Sequence, residues 1–199
     1  MNGEATGAKP FTADDPAAPQ DAYGTSKYEA ERVLRSISAA TALEVTVVRP
    51  PLVYGPGVGG NFLRLLKLVQ RGIPLPFGAI DNRRSMIYNG NLACALMACA
   101  VHPNAGGKTY LVADAEDLST RELVRCLGAS LGQPARLWPI PPRILRLGGA
   151  LVGRSAEIDR LIGSLVVDSS SIRTELAWSP PYAVPDALND TATWFRSRS

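Results

Sequence analysis

What this sequence has little of narrows its function before any motif is read. It contains one histidine and three cysteines, Cys94, Cys99 and Cys126, with no C-x-x-C pair. A disulfide framework and a zinc site are therefore not expected, and the cysteines read as thiols of a reducing cytoplasm. No apolar run approaches the ~18 residues of a membrane span; the longest candidate, 144–153, is broken by Arg146, Gly148 and Gly149. Residues 1–10 lack the basic-then-apolar order of a signal peptide. The net charge is only +3, with no basic block or aromatic-basic platform, which argues against a nucleic-acid partner. A cytoplasmic protein without a membrane or nucleic-acid partner is expected.

What is present is a chain of 199 residues, 46% hydrophobic, long enough for a well-buried core. Residues 1–22 are rich in Ala, Pro, Asp and Gly without an apolar period and read as a surface loop or frayed terminus. From Thr25 the pattern is helical: Ala30, Val33, Leu34 and Ile37 form a stripe that must face other protein. Residues 44–49 (EVTVVR) suit a buried parallel strand stopped by Pro50 and Pro51. Residues 52–60 (LVYGPGVGG), with four glycines, read as a loop, and Asn61 is a candidate cap for a helix ended by Gly72.

An extended piece at 85–88, a helix over 91–100 and a strand at 108–112 follow. Ser119 and Glu122 have capping-box spacing ahead of Leu123, Leu127 and Leu131. Helices are expected near 142–152, 155–163, 170–177 and 185–197. Strand and helix alternate early and helices dominate late. No G-x-G-x-x-G or G-x-x-G-x-x-G follows a predicted strand near the N-terminus, and GPGVGG is read as a plain loop rather than a phosphate-cradling turn.

Tyr23 and Lys27 lie four apart at the start of the first helix, so both project from one face. A phenol ionises near pH ~10, and an adjacent ammonium favours its anion, which makes the pair a candidate general acid/base. His102, before Pro103 and without a partner histidine, suggests a terminal role rather than a metal ligand. Trp138, Trp178 and Trp194 read as core or interdomain packing.

YGTSKYEAE (23–31), followed after a helix by VTVVRPPLVYGPG (45–57), resembles the extended short-chain dehydrogenase/reductase family, in its NAD-dependent nucleotide-sugar epimerase/dehydratase branch. The basic segment RRSMIY (83–88), the strand KTYLV and the signature I-R-x-E-L-x-W-x-P (172–180) follow in family order. Within the branch the likeness is to UDP-glucose 4-epimerase-like proteins and to reductases of 4-keto-6-deoxy UDP-sugars. The resemblance implies an α/β fold: the C-terminal part of a Rossmann-like doubly wound sheet with a mostly helical substrate lobe, its N-terminal nucleotide-binding strands absent. Residues 1–60 would be what remains of the dinucleotide-binding domain, and 61–199 mainly the substrate-binding lobe with possible returns to the sheet.

By the same resemblance, Tyr23 exchanges a proton with the sugar hydroxyl while hydride moves to or from NAD or NADP, and Lys27 bonds the nicotinamide ribose. Arg49 and Pro50 end the strand beside the cofactor, Asn61 lies near the substrate diphosphate, and Arg84 pairs with it, its planar fork suiting phosphate. The implied substrate is a UDP-sugar. Where relatives often carry an acidic residue, NGNLA places Asn89 and Asn91, read as a neutral cap. The isolated chain is expected to be an inactive fragment that binds the cofactor weakly and either homo-oligomerises or depends on the other half. The alternatives are a substrate-lobe binding module without catalysis, and a hydroxysteroid or dihydroflavonol-type reductase.

Overall fold

The computed structural model describes residues 3, 5–7, 9–151 and 153–198. The elements run α1 (Ala22–Ala40), β1 (Val47–Arg49), β2 (Leu52–Tyr54), α2 (Gly60–Gln70), β3 (Met86–Tyr88), α3 (Asn89–Val101), β4 (Thr109–Leu111), α4 (Thr120–Ser130), α5 (Pro142–Leu151), α6 (Ser155–Ile162), α7 (Ser170–Glu175) and α8 (Val184–Arg196). α1 starts earlier than its apolar period because Asp21 caps it, accepting a hydrogen bond from the Gly24 amide at 2.6 Å.

The strands form two parallel pairs. β1 runs beside β4, with Val48 opposite Tyr110, and β2 runs beside β3, with Val53 opposite Ile87. Pro50 and Pro51 sit between β1 and β2, where a missing amide donor ends one ladder and lets the chain enter the other. The segment read as a loop from residue 52 thus begins with a strand; its alternation was too short to register. Among the described residues β1 pairs with β4 alone, so one of its edges carries no ladder partner.

α2, α4 and α8 enclose the larger core, where Leu66, Val124, Leu127 and Leu188 are fully buried. The Ser119–Glu122 capping box forms as expected: the Ser119 hydroxyl accepts from the Glu122 amide, and the Glu122 carboxylate accepts from the Ser119 amide. That bonding also holds the Glu122 carboxyl below its ordinary range. A second core joins Ile87, Ala95, Tyr110, Val112 and Ile172 beneath the two strand pairs.

Several expectations change. Gly59, not Asn61, is the N-cap of α2, and Asn61 lies inside its first turn. The N-terminal segment, expected as a frayed loop, is tied down: the Phe11 amide donates to the Val166 carbonyl, and the Asp168 amide to the Phe11 carbonyl, both at 2.8 Å. Met1, Asn2, Glu4 and Ala8 of that segment lie outside the described residues. Of the tryptophans expected in core or interdomain packing, Trp178 is buried in the core and Trp138 is exposed. His102 is the C-cap residue of α3. The three cysteines are free, and no helix among the described residues is long and apolar enough to cross a membrane.

Candidate active site

α1 brings its first turns to the wall of an open cavity of about 950 Å³, between α1, β1 and the 165–167 segment. Tyr23 and Lys27 both line it, with the Lys27 ammonium 5.4 Å from the centroid of the Tyr23 ring. Tyr23 is 70% exposed, so its hydroxyl is available to a ligand. Arg49 and Pro50 line the same cavity from the end of β1. Four of the six residues singled out from the sequence therefore meet at one place.

Arg49 is already occupied. Its Nη2 donates to Glu31 Oε1 at 2.7 Å and its Nε to Glu31 Oε2 at 3.1 Å, a two-point pair in which both residues are nearly buried. Arg35, one turn further along α1, donates to the same Oε1 at 2.7 Å. Burial alone would raise the Glu31 carboxyl, but the hydrogen bonds and charges of Arg49 and then Arg35 outweigh it and hold the group below the ordinary glutamate range. This clamp pins α1 onto β1 and so fixes the height of Tyr23 and Lys27 above the strand. Sequence reading missed Glu31, although its spacing at i+4 from Lys27 and i+8 from Tyr23 placed it on their face.

Asn61 and Arg84 are not among the residues lining this cavity. Asn61 is exposed, its Oδ1 facing Arg64 Nη1 at 3.4 Å. Arg84 Nη1 donates to the main-chain carbonyls of Arg160 and Gly163 at the end of α6, and its main chain bridges to Leu165, which does line the cavity. Asn82, beside it, is buried and staples α6 to α4: its amide donates to the Leu161 and Gly163 carbonyls and its oxygen accepts from the Thr120 amide.

A second buried carboxylate, Asp114, follows β4. It accepts from the Tyr54 hydroxyl at 2.8 Å, the Tyr88 amide at 3.0 Å and the Asn91 amide group at 2.7 Å. Burial, and then the Asp114 charge, push the Tyr54 hydroxyl far above the usual phenol range, so it stays a neutral donor. Asn91 also exchanges two hydrogen bonds with the Tyr182 main chain, and Asn89 donates to the Pro56 carbonyl. Neither caps α3, which corrects the reading of both as neutral caps; the N-cap position falls on Tyr88.

The loop after β2 also needs a correction. Gly55, Gly57 and Gly60 do have G-x-G-x-x-G spacing between a strand and a helix. Gly55 is required there: its φ is +136°, and a Cβ would sit 2.4 Å from Asn89 Oδ1. Yet the loop rests on Asn89 and is not part of the cavity wall that carries Tyr23 and Lys27. Around the cavity, the Tyr23 phenol and the Lys27 amine are both on exposed residues. The lining cations are Lys27 and Arg49, the latter paired with Glu31.

An α/β lobe in which a Tyr-Lys pair on a helix shares one cavity with a parallel strand is the class of protein this chain presents. A family model described as the NAD dependent epimerase/dehydratase family matches residues 1–113, and the chain belongs to that family. The UDP-glucose 4-epimerase of Vibrio cholerae is 43% identical over 197 residues, covering 98% of this chain and 60% of the relative. The chain thus spans about three-fifths of that relative's length. Among solved structures, the UDP-glucose 4-epimerase of Thermotoga maritima with UDP-glucose matches 99% of this chain and 60% of its own, at 17% identity and TM-score 0.73. The UDP-glucuronic acid 4-epimerase of Bacillus cereus in complex with NAD matches 97% of this chain and 58% of its own, at 18% identity and TM-score 0.75. Those likenesses establish the fold, a Rossmann-like α/β arrangement.

Proposed function

We propose that this chain carries the proton-transfer and substrate side of an NAD(P)-dependent nucleotide-sugar epimerase or reductase acting on a UDP-sugar. The observation that carries the reading is the meeting of Tyr23, Lys27, Arg49 and Pro50 on one open cavity wall. The Tyr23 hydroxyl exchanges a proton with a sugar hydroxyl at the carbon that is oxidised or reduced, and Lys27 holds the nicotinamide ribose. NAD(P), when bound, supplies the hydride acceptor and donor. Glu31 and Arg49 position the pair without touching substrate. Asn61 and Arg84 would meet the substrate diphosphate only if it extends from the cavity past Leu165 towards α6 and α2.

A second reading is favoured by the exposed apolar stripe of α1 and by the edge of β1 that has no ladder partner among the described residues. On it, the 199 residues alone bind a nucleotide-sugar weakly and turn nothing over until a nucleotide-binding sheet joins β1. Residues 1–60 then serve as the sheet-side piece and 61–199 as the substrate lobe.

The test joins this chain to the part of the Vibrio cholerae relative that it does not match and follows UDP-glucose and UDP-galactose interconversion. Turnover by the joined protein, lowered about 10²–10⁴-fold by Tyr23→Phe, supports the proposal; full turnover in the variant overturns it. Low-micromolar NAD(P) binding by the chain alone, measured by calorimetry, would overturn the second reading. Arg84→Ala separates substrate contact from scaffolding: lost turnover at an unchanged melting midpoint assigns Arg84 to the diphosphate, and a lowered midpoint assigns it to α6.

A further inference from the structure

Between Glu122 and Glu157 the chain carries five arginines, Arg125, Arg136, Arg143, Arg146 and Arg154, and no acidic residue. α5 lies inside this stretch and is apolar on two opposite faces. One face is used: Leu145 packs on the larger core, and Gly149 is pressed so closely on α6 that a Cβ would sit 2.8 Å from Ile158. The other is open. Ile144, Leu147 and Leu151, at i, i+3 and i+7, are 58%, 64% and 80% exposed, and at ~100° per residue they share an arc of about 60°. Arg143 flanks that arc, Arg154 follows just beyond the helix, and Trp138, four residues before α5, is 60% exposed.

We propose that this face is a docking site for an anionic lipid surface. A helix with an exposed aliphatic stripe flanked by arginine lies in the plane of a membrane interface, its apolar side chains in the headgroup boundary and its guanidinium groups among lipid phosphates. Tryptophan prefers the same depth. The charge pattern selects this occupant: Arg143 and Arg154 flank the stripe and α5 itself carries no carboxylate, so the face opposes a second copy of itself, whereas anionic headgroups neutralise it. Arg146 is answered by Asp159 of α6 at 3.1 Å; its neighbour Arg143 is on the side of the helix that faces out. At ten residues, or about 15 Å, α5 is far too short to span. The contact is therefore at the surface, and it departs from the sequence expectation of no membrane partner, which rested on the lack of a spanning segment. This inference stands apart from the reading of the Tyr23 cavity.

The test is co-sedimentation of the chain with phosphatidylcholine vesicles, with and without phosphatidylglycerol, against a lipid-free control. Binding to the anionic vesicles that weakens with salt, falls about fivefold for each of Arg143→Gln and Arg154→Gln, and vanishes in the triple variant Ile144→Ser, Leu147→Ser, Leu151→Ser supports the site. Those side chains are exposed, so circular dichroism of the triple variant should match the parent. Serine at Val33, Leu34 and Ile37 of α1 should leave vesicle binding unchanged. Equal binding to neutral vesicles, binding retained by the α5 triple variant, or no binding at all overturns the proposal. So does a fall in sedimentation mass of the α5 variant without any vesicle binding, which would make a second copy the occupant.

Discussion

α1 and α4 have the same kind of amphipathic spacing and opposite fates. α4 buries Leu123, Val124 and Leu127 against α2 and α8, and its first turn is closed by a capping box. α1 leaves Val33, Leu34 and Ile37 42–56% exposed and buries Gly24 and Glu31 instead. Hydrophobic burial holds α4; a two-arginine clamp on one carboxylate holds α1. The difference teaches that an apolar period fixes which face of a helix seeks cover, and says nothing about which polypeptide covers it.

The largest break in the comparison should come from Glu31→Ala. It removes the nearly buried carboxylate that Arg49 and Arg35 share, and removing one member of such a pair costs about 3–5 kcal/mol. Hydrogen exchange should then show α1 opening while α4 and α8 remain protected. pH sharpens the same point. Because the folded Glu31 carboxyl is held below its unfolded value, its contribution is complete above the ordinary glutamate range and is lost as pH falls through the lower, folded value. Acid should loosen α1 before the α4 core, and Glu31→Gln should abolish that early step.

The next effect is Leu127→Ala, which opens a cavity in the larger core where the side chain is fully buried; a loss of about 2–5 kcal/mol in denaturant unfolding is expected. Ser119→Ala should cost about 1 kcal/mol by removing the α4 cap. If Ser119→Ala matched Leu127→Ala, the assignment of α4's stability to packing would fail.

The legibility of the sequence followed the same divide. The α4 cap, the late helices and the Tyr23–Lys27 face were readable because each is local, set by spacings of three or four residues. β2 escaped because three residues after a double proline carry too little alternation to be told from the glycine loop they enter. The roles of Glu31 and Asp114 escaped because a carboxylate's partners are set by the fold: Asp114 meets Tyr54, 60 positions away, and Glu31 meets Arg49, 18 away. Arg84 was legible as a cation, but that its fork would reach the end of α6 was a fact about residues 160 and 163.

The smallest expected effect is also the most direct test of what α1 lacks. Replacing Val33, Leu34 and Ile37 with serine removes side chains that this chain leaves about half exposed, so each change should cost well below the Leu127→Ala loss, about 1 kcal/mol or less. Its consequence should appear in association instead. A half-exposed aliphatic stripe beside a strand edge that has no ladder partner among the described residues favours self-contact, so the parent chain should sediment as dimers or larger species, and the triple variant should shift towards monomer. A loss of several kcal/mol in the variant would mean that the stripe is covered from within the chain, and the contrast with α4 would collapse. A parent chain that is already a clean monomer with a sharp two-state melt would mean that α1 needs no cover at all.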